Sequence, residues 1–242
     1  MGTLGEGGGK GPSVPAIRGV AFDLDGTLYP NYRFYYRLIP LLLAHPRFFR
    51  AFAMVRRRLH RHGTALSQGA FYQEQASLMG SILGKDPVYM EEKTRRLIYR
   101  GWEPLFARIR LFPQVQKTLG ALRRAGLKLG LLSDFPPVRK LVLLGLEGFF
   151  DAVLSTEETG RLKPDGIPFA ALAQSLSLSP TEILYVGNSP RYDIEGARAA
   201  GMRAALIRRS PLSTGRCSGT GGADFVFKDY RQLQKYVLGW AK

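Results

Sequence analysis

The 242-residue chain predicts a doubly wound, mostly parallel, Rossmann-like α/β sheet with an α-helical segment inserted near its start. Three observations carry this. Six short apolar runs, each bounded by Gly, Pro or polar residues, have the look of strands buried on both faces. Helical patterns lie between several of them, in the order of βα units. From Tyr29 to Ala107 no run reads as a strand, and the interval is too long for a plain connection.

The elements follow in chain order. Residues 1–16, MGTLGEGGGKGPSVPA, read as a floppy Gly-rich leader; it lacks the apolar stretch of a signal peptide, and Glu6 spoils the myristoylation pattern that Gly2 suggests. RGVAFD (18–23) is the first strand. The insert, 29–107, contains LIPLLLAHPRFFRAFAMVRRRLH and MEEKTRRLIYRGWEPLFARI, both with helical spacing. PQVQKTLGALRRAG (113–126) reads as a helix ending at Gly126, and LKLGLLSD (127–134) and DAVLS (151–155) as strands. GIPFAALAQSLSLS (166–179) is a helix stopped by Pro180, followed by the strand EILYVGN (182–188) and the helix DIEGARAAG (193–201). RAALIR (203–208) and DFVF (224–227) complete the strands, with a surface loop over 210–222 between them. A core domain would thus comprise residues 17–28 and 108–242.

Composition narrows the function classes. Cys217 is the only cysteine, so no internal disulfide forms, no zinc spacing exists, and a reducing, cytoplasmic location is expected. Arg37, Pro40, Pro46, Arg47 and Arg50 interrupt the insert's apolar runs well short of a membrane span. The net charge is +16, so the surface field attracts anions. The insert holds 13 basic and five acidic residues, and between positions 26 and 73 eight arginines stand without one acid. Three readings stay open: a solvated arginine-rich surface, a grip on a polyanionic substrate, or docking on nucleic acid or an anionic membrane surface. His45, His60 and His62 have no acidic or thiol partner nearby in sequence and read as solvated surface residues.

Ligands of a doubly wound sheet bind at the carboxyl ends of its strands. Asp23 and Asp25, in FDLDGT, end the first strand. Ser133 and Asp134 end the second, Lys163 follows the third, and Asn188 and Asp193 follow the fourth. Such hard oxygen donors suit Mg²⁺, and a turn at Gly26 can aim backbone N–H groups at an anion. Singly, each residue has a plainer reading as a helix cap or turn residue.

DLDGTL, LLSD, KPD and VGNSPRYDIEGARAAGM, in this order around a helical insert, resemble the haloacid dehalogenase (HAD) superfamily, and within it the phosphatases whose helical cap lies between the first and second motifs. The resemblance makes 29–107 the cap domain. It implies that Asp23 is the nucleophile of an aspartyl-phosphate intermediate and Asp25 the general acid and then base. Thr27 would orient Asp25, Ser133 and the backbone at Asp134 would bind the phosphoryl group, and Lys163 would neutralise it. Mg²⁺ would be held by Asp23, the Asp25 carbonyl and the fourth motif, Asn188 and Asp193, although Asp193 has a second implied role as the positioner of Lys163. Asn188 departs from the more usual Asp and removes one negative charge from that shell. Tyr29, Asn31, Tyr32 and Arg33 follow the first motif and are candidates to face the site, although no spacing argument fixes their direction. The implied activity is Mg²⁺-dependent hydrolysis of a small phosphorylated metabolite. The alternatives are a phosphomutase, or a catalytically weakened protein binding nucleic acid or an anionic membrane through the insert.

Overall fold

A computed structural model describes residues 16–65, 67–208 and 219–240. Its six strands are β1 (Gly19–Phe22), β2 (Lys128–Ser133), β3 (Ala152–Ser155), β4 (Ile183–Gly187), β5 (Arg203–Ile207) and β6 (Phe225–Phe227). They form one parallel sheet in the order β3-β2-β1-β4-β5-β6. The chain leaves β1 toward β2 on one side and returns to β4 on the other, so a crevice opens at the carboxyl end of β1.

Period-two alternation divides the sheet residues between two apolar layers. Val20, Phe22, Leu129, Leu131, Leu184 and Val186 face one side, packing with α6 (Val115–Arg124) and α10 (Tyr230–Trp240). Ala21, Leu132 and Tyr185 face the other, packing with α8 (Gly166–Leu176) and α9 (Gly196–Ala199). Burial on both faces is why the strands read as continuous apolar runs. Between β2 and β3 lies the short α7 (Val138–Leu143).

The insert is helical throughout: α1 (Asn31–Ala44), α2 (Pro46–His62), α3 (Gln68–Leu83), α4 (Pro87–Thr94), a π-helical turn over Arg95–Arg100 and α5 (Glu103–Phe106). Its boundaries follow local chemistry. Pro46 and Pro87 open α2 and α4 at positions that need no donor. The Asp86 carboxylate accepts from the amides of Val88 and Tyr89 at 2.8 and 3.2 Å, and Gly84, at φ +62°, ends α3 in the left-handed region.

One element differs from its sequence reading. The helix expected over 193–201 begins as a π-helical turn, Pro190–Glu195, and becomes α-helical only from Gly196. The wide turn swings the Asp193 carboxylate back onto the amides of Asn188 and Ser189, at 3.1 and 2.9 Å. The expected leader up to Val14 and Pro15, and most of the 210–222 loop with Cys217, lie outside the described residues.

Candidate active site

Beyond Phe22 the backbone stays anchored to the sheet, since the Asp23 amide donates to the Val186 carbonyl at 2.9 Å. Gly26 then takes φ +92°, and the Leu28 amide closes a turn onto the Leu24 carbonyl at 3.0 Å. That turn aims the Thr27 hydroxyl at Asp23 Oδ2, 2.8 Å away, and at Asn188 Oδ1, 3.3 Å away. Thr27 therefore orients Asp23 and not Asp25, a correction to the sequence reading.

The other Asp23 oxygen accepts from Lys163 Nζ at 2.7 Å. Lys163 is fully buried, and its remaining donors meet Asp193 Oδ1 at 2.8 Å and the Leu132 carbonyl and Tyr185 hydroxyl, both at 3.3 Å. Burial opposes its charge, but Asp193 and Asp23 outweigh that and hold the ammonium well above its usual range. Asp23 is pushed up to about 7, chiefly by burial, with Lys163 pulling the other way. Asp193 spends one oxygen on Lys163 and the other on the Asn188 and Ser189 amides.

Asp25 faces a second group of partners. Lys140 Nζ reaches both of its oxygens, at 3.0 and 2.8 Å, the Tyr29 hydroxyl donates to Oδ1, and Ser133 Oγ lies 3.4 Å from Oδ2. Lys140 is itself buried, its ammonium over the rings of Phe106 and Phe135. Beside it a cavity of about 460 Å³ is lined by Trp102, Phe106, Phe135, Val138 and Lys140, among others. The structure thus brings Asp23, Thr27, Lys163, Asn188 and Asp193 into one cluster, with Asp25 and Ser133 adjoining it.

Asp134 stands at the edge of this cluster. Its carboxylate accepts from Thr156 at 3.1 Å and its carbonyl from Arg56 Nη2 at 2.8 Å. Burial raises that carboxyl, but Lys163, His60 and Arg56 together hold it below its usual range. Arg56 also pairs with the buried Glu157, whose other oxygen accepts from Tyr72 at 3.1 Å. His60 is not the solvated residue its sequence context implied. Its Nδ1 lies 2.6 Å from the Lys163 carbonyl, its ring stacks on Tyr192, and its Nε2 is 3.9 Å from Asp134.

A divalent cation fits this donor set. Among the described residues no three His, Cys, Asp or Glu side chains form a metal cage. What the site offers instead is oxygen of mixed type: the Asp23 carboxylate, the Asp25 carbonyl and Asn188 Oδ1. Thr27 bridges the first and last of these. A Cβ at Gly26 would meet the Asn188 amide nitrogen at 2.5 Å, so glycine keeps this cradle open. Hard oxygen ligands with room for water suit Mg²⁺.

A glyceraldehyde 3-phosphate phosphatase of Methanopyrus kandleri is 31% identical over 208 residues, covering 80% of this chain and 84% of that protein. A phosphoglycolate phosphatase of Salmonella choleraesuis is 30% identical over 205 residues, covering 76% and 79%. Among solved structures, a HAD-hydrolase of Bacillus subtilis bound to magnesium superposes with a TM-score of 0.65 at 17% identity, covering 93% of this chain and all of that one. A HAD phosphatase of Thermococcus onnurineus gives 0.60 at 22% identity, covering 91% and 98%. The profile of the haloacid dehalogenase-like hydrolases matches residues 17–201. With its parallel sheet, its helical insert and its four strand-end motifs, the chain belongs to the haloacid dehalogenase-like hydrolase family.

Proposed function

We propose that the protein is a Mg²⁺-dependent phosphomonoester hydrolase that acts on a small phosphorylated substrate through an aspartyl-phosphate at Asp23. The observation that carries this is the division of labour between two carboxylates two residues apart. Asp23 is clamped by Lys163 and Thr27, while Asp25 is held by Lys140 and Tyr29. The names of the two phosphatase relatives support the substrate class.

An Asp23 oxygen attacks phosphorus as the bond to the leaving alcohol breaks, and Asp25 gives its proton to the departing oxygen. Asp25 then takes a proton from water as that water attacks the phosphoryl group, which releases inorganic phosphate and restores the Asp23 carboxylate. Ser133 Oγ and the backbone at Asp134 bind phosphoryl oxygens, and Lys163 balances their charge. The alcohol departs on the Asp25 side, toward the cavity walled by Phe106 and Phe135.

Asp23, the Asp25 carbonyl and Asn188 would hold Mg²⁺, which would supply the positive charge that lets an anionic carboxylate meet an anionic phosphate. Asp193 is assigned to positioning Lys163, on its 2.8 Å contact with Nζ and the two backbone amides that fix its other oxygen. The domain division of the sequence reading, with 29–107 as a cap over the crevice, belongs to the same proposal.

Phosphate release from a panel of small phosphoesters, measured across a Mg²⁺ series with Asp23→Asn as control, tests the reading. Turnover that needs Mg²⁺ and vanishes in the variant is expected. Equal behaviour of wild type and variant on every ester would sink it.

A further inference from the structure

Helix α1 is apolar on two sides. Phe34 and Leu38 are buried against the rest of the protein. Tyr32, Tyr36, Ile39 and Leu43, at spacings of four, three and four, form a second stripe with Tyr35 beside it, and all five are exposed. Tyr36 and Leu43 are 69% and 76% exposed. A second apolar stripe left facing solvent marks a surface that another apolar phase would cover.

The stripe runs into positive charge. Past the corner at His45 and Pro46, α2 exposes Arg47, Arg50, Arg57 and Arg58, with the exposed Met54 among them. None of these four arginines pairs with a carboxylate among the described residues. No acidic residue occurs between Asp25 and Glu74 to neutralise them.

We propose that the α1–α2 face is a docking surface for an anionic lipid bilayer. Aliphatic Ile39 and Leu43 would enter the acyl boundary, Tyr32 and Tyr36 would lie at headgroup depth, and the arginines would meet lipid phosphates. This is attachment in the interfacial plane, since no helix among the described residues is long and apolar enough to cross a membrane. A second copy of the chain fits the face poorly, because two such surfaces would bring arginine against arginine with no acid between them. RNA would satisfy the arginines but give the aliphatic side chains nothing to cover.

Flotation of the full-length protein with phosphatidylcholine vesicles, with and without phosphatidylglycerol, tests this. Binding is expected on the anionic vesicles, little on the neutral ones, with loss at high salt. Tyr36→Ser with Leu43→Ser should cut the partition coefficient about tenfold, and Arg47→Glu with Arg50→Glu at least as much. Hydrolysis of a soluble ester and the thermal midpoint should stay unchanged in both variants, since these side chains are exposed and none of them bonds Asp23 or Asp25. No binding to anionic vesicles at low salt, binding indifferent to both double variants, or loss of the effect in favour of RNA or self-association would overturn the proposal.

Discussion

Lys140 spans the carboxylate of Asp25, its ammonium 2.8 Å from one oxygen and 3.0 Å from the other, although 115 residues separate them. The pair ties Asp25 to a lysine that lines the cavity, whereas Asp23 is tied to Lys163. A charged hydrogen bond of this kind contributes about 1.5–3 kcal/mol. Lys140→Met should therefore lower kcat by roughly 10- to 100-fold on a soluble phosphoester, with Lys140→Arg keeping part of the activity. Steady-state kinetics checks this, and an unchanged kcat in Lys140→Met would remove Lys140 from the mechanism.

Arg56 of α2 and Glu157 after β3 form a buried ion pair that ties the insert to the sheet. Glu157 also accepts from Tyr72 and Tyr99, both at 3.1 Å. Removing one member leaves an uncompensated buried charge, so Arg56→Met should cost about 3–5 kcal/mol, read from urea denaturation. Replacing both, Arg56→Met with Glu157→Leu, should recover much of that loss. Equal losses in the single and double variants would show that the packing, not the charge, matters.

His60 ties stability to pH. Burial lowers its pKa below the ordinary 6.5, an effect that Asp134 opposes and Arg56 reinforces. In the window below 6.5 the unfolded chain binds a proton that the folded imidazole refuses, so acid favours unfolding. His60's contribution is complete above 6.5 and lost as the pH falls through the folded value. Asp23, raised to about 7, takes up a proton on folding in the same window and pulls the other way, so the His60 effect is read as a difference. Between about pH 7.5 and pH 5.5 the urea midpoint of His60→Gln should rise relative to that of the wild type as the pH falls. The same slope in the variant would assign the effect to other groups.

Gly187 sits where a Cβ would lie 2.3 Å from Asp193 Cβ and 2.5 Å from its Cγ. Gly187→Ala must push Asp193 off Lys163, at a cost of about 1–3 kcal/mol from overpacking and a loss of activity of at least about tenfold. Gly166→Ala, where a Cβ meets nothing within 4 Å, is the control. Thermal melts and the ester assay together check the pair; a Gly187→Ala protein with normal activity would argue against Asp193 as the positioner of Lys163.

The strands were legible because each is buried on both faces, and parallel topology then put their ends together. That is why Asp23, Lys163, Asn188 and Asp193, spread over 170 residues, could be named before their contacts were seen. Lys140 could not. VRKLVL contains nothing that marks its lysine, and the pairing exists only because α7 packs beside α5, near Phe106. Arg56 was one of eight arginines without acids, and only its burial against Glu157 separates it from Arg57 and Arg58. Thr27 was misread because its hydroxyl direction depends on the positive φ of Gly26.

The strand that comes first in the chain is the middle of the sheet, with Gly19 beside Lys128 on one side and Ile183 on the other. During synthesis the Asp23 turn therefore waits for nearly the whole polypeptide, since Lys163 lies 140 residues downstream and Asp193 later still. Long-range parallel pairing makes the rate of folding slow. A chain stopped before β4 lacks both the second neighbour of β1 and the anchor of Lys163, so the Asp23–Lys163–Asp193 cluster cannot form in it. The cluster around Asp23 is thus completed late in synthesis, ahead only of β5 and β6 among the strands.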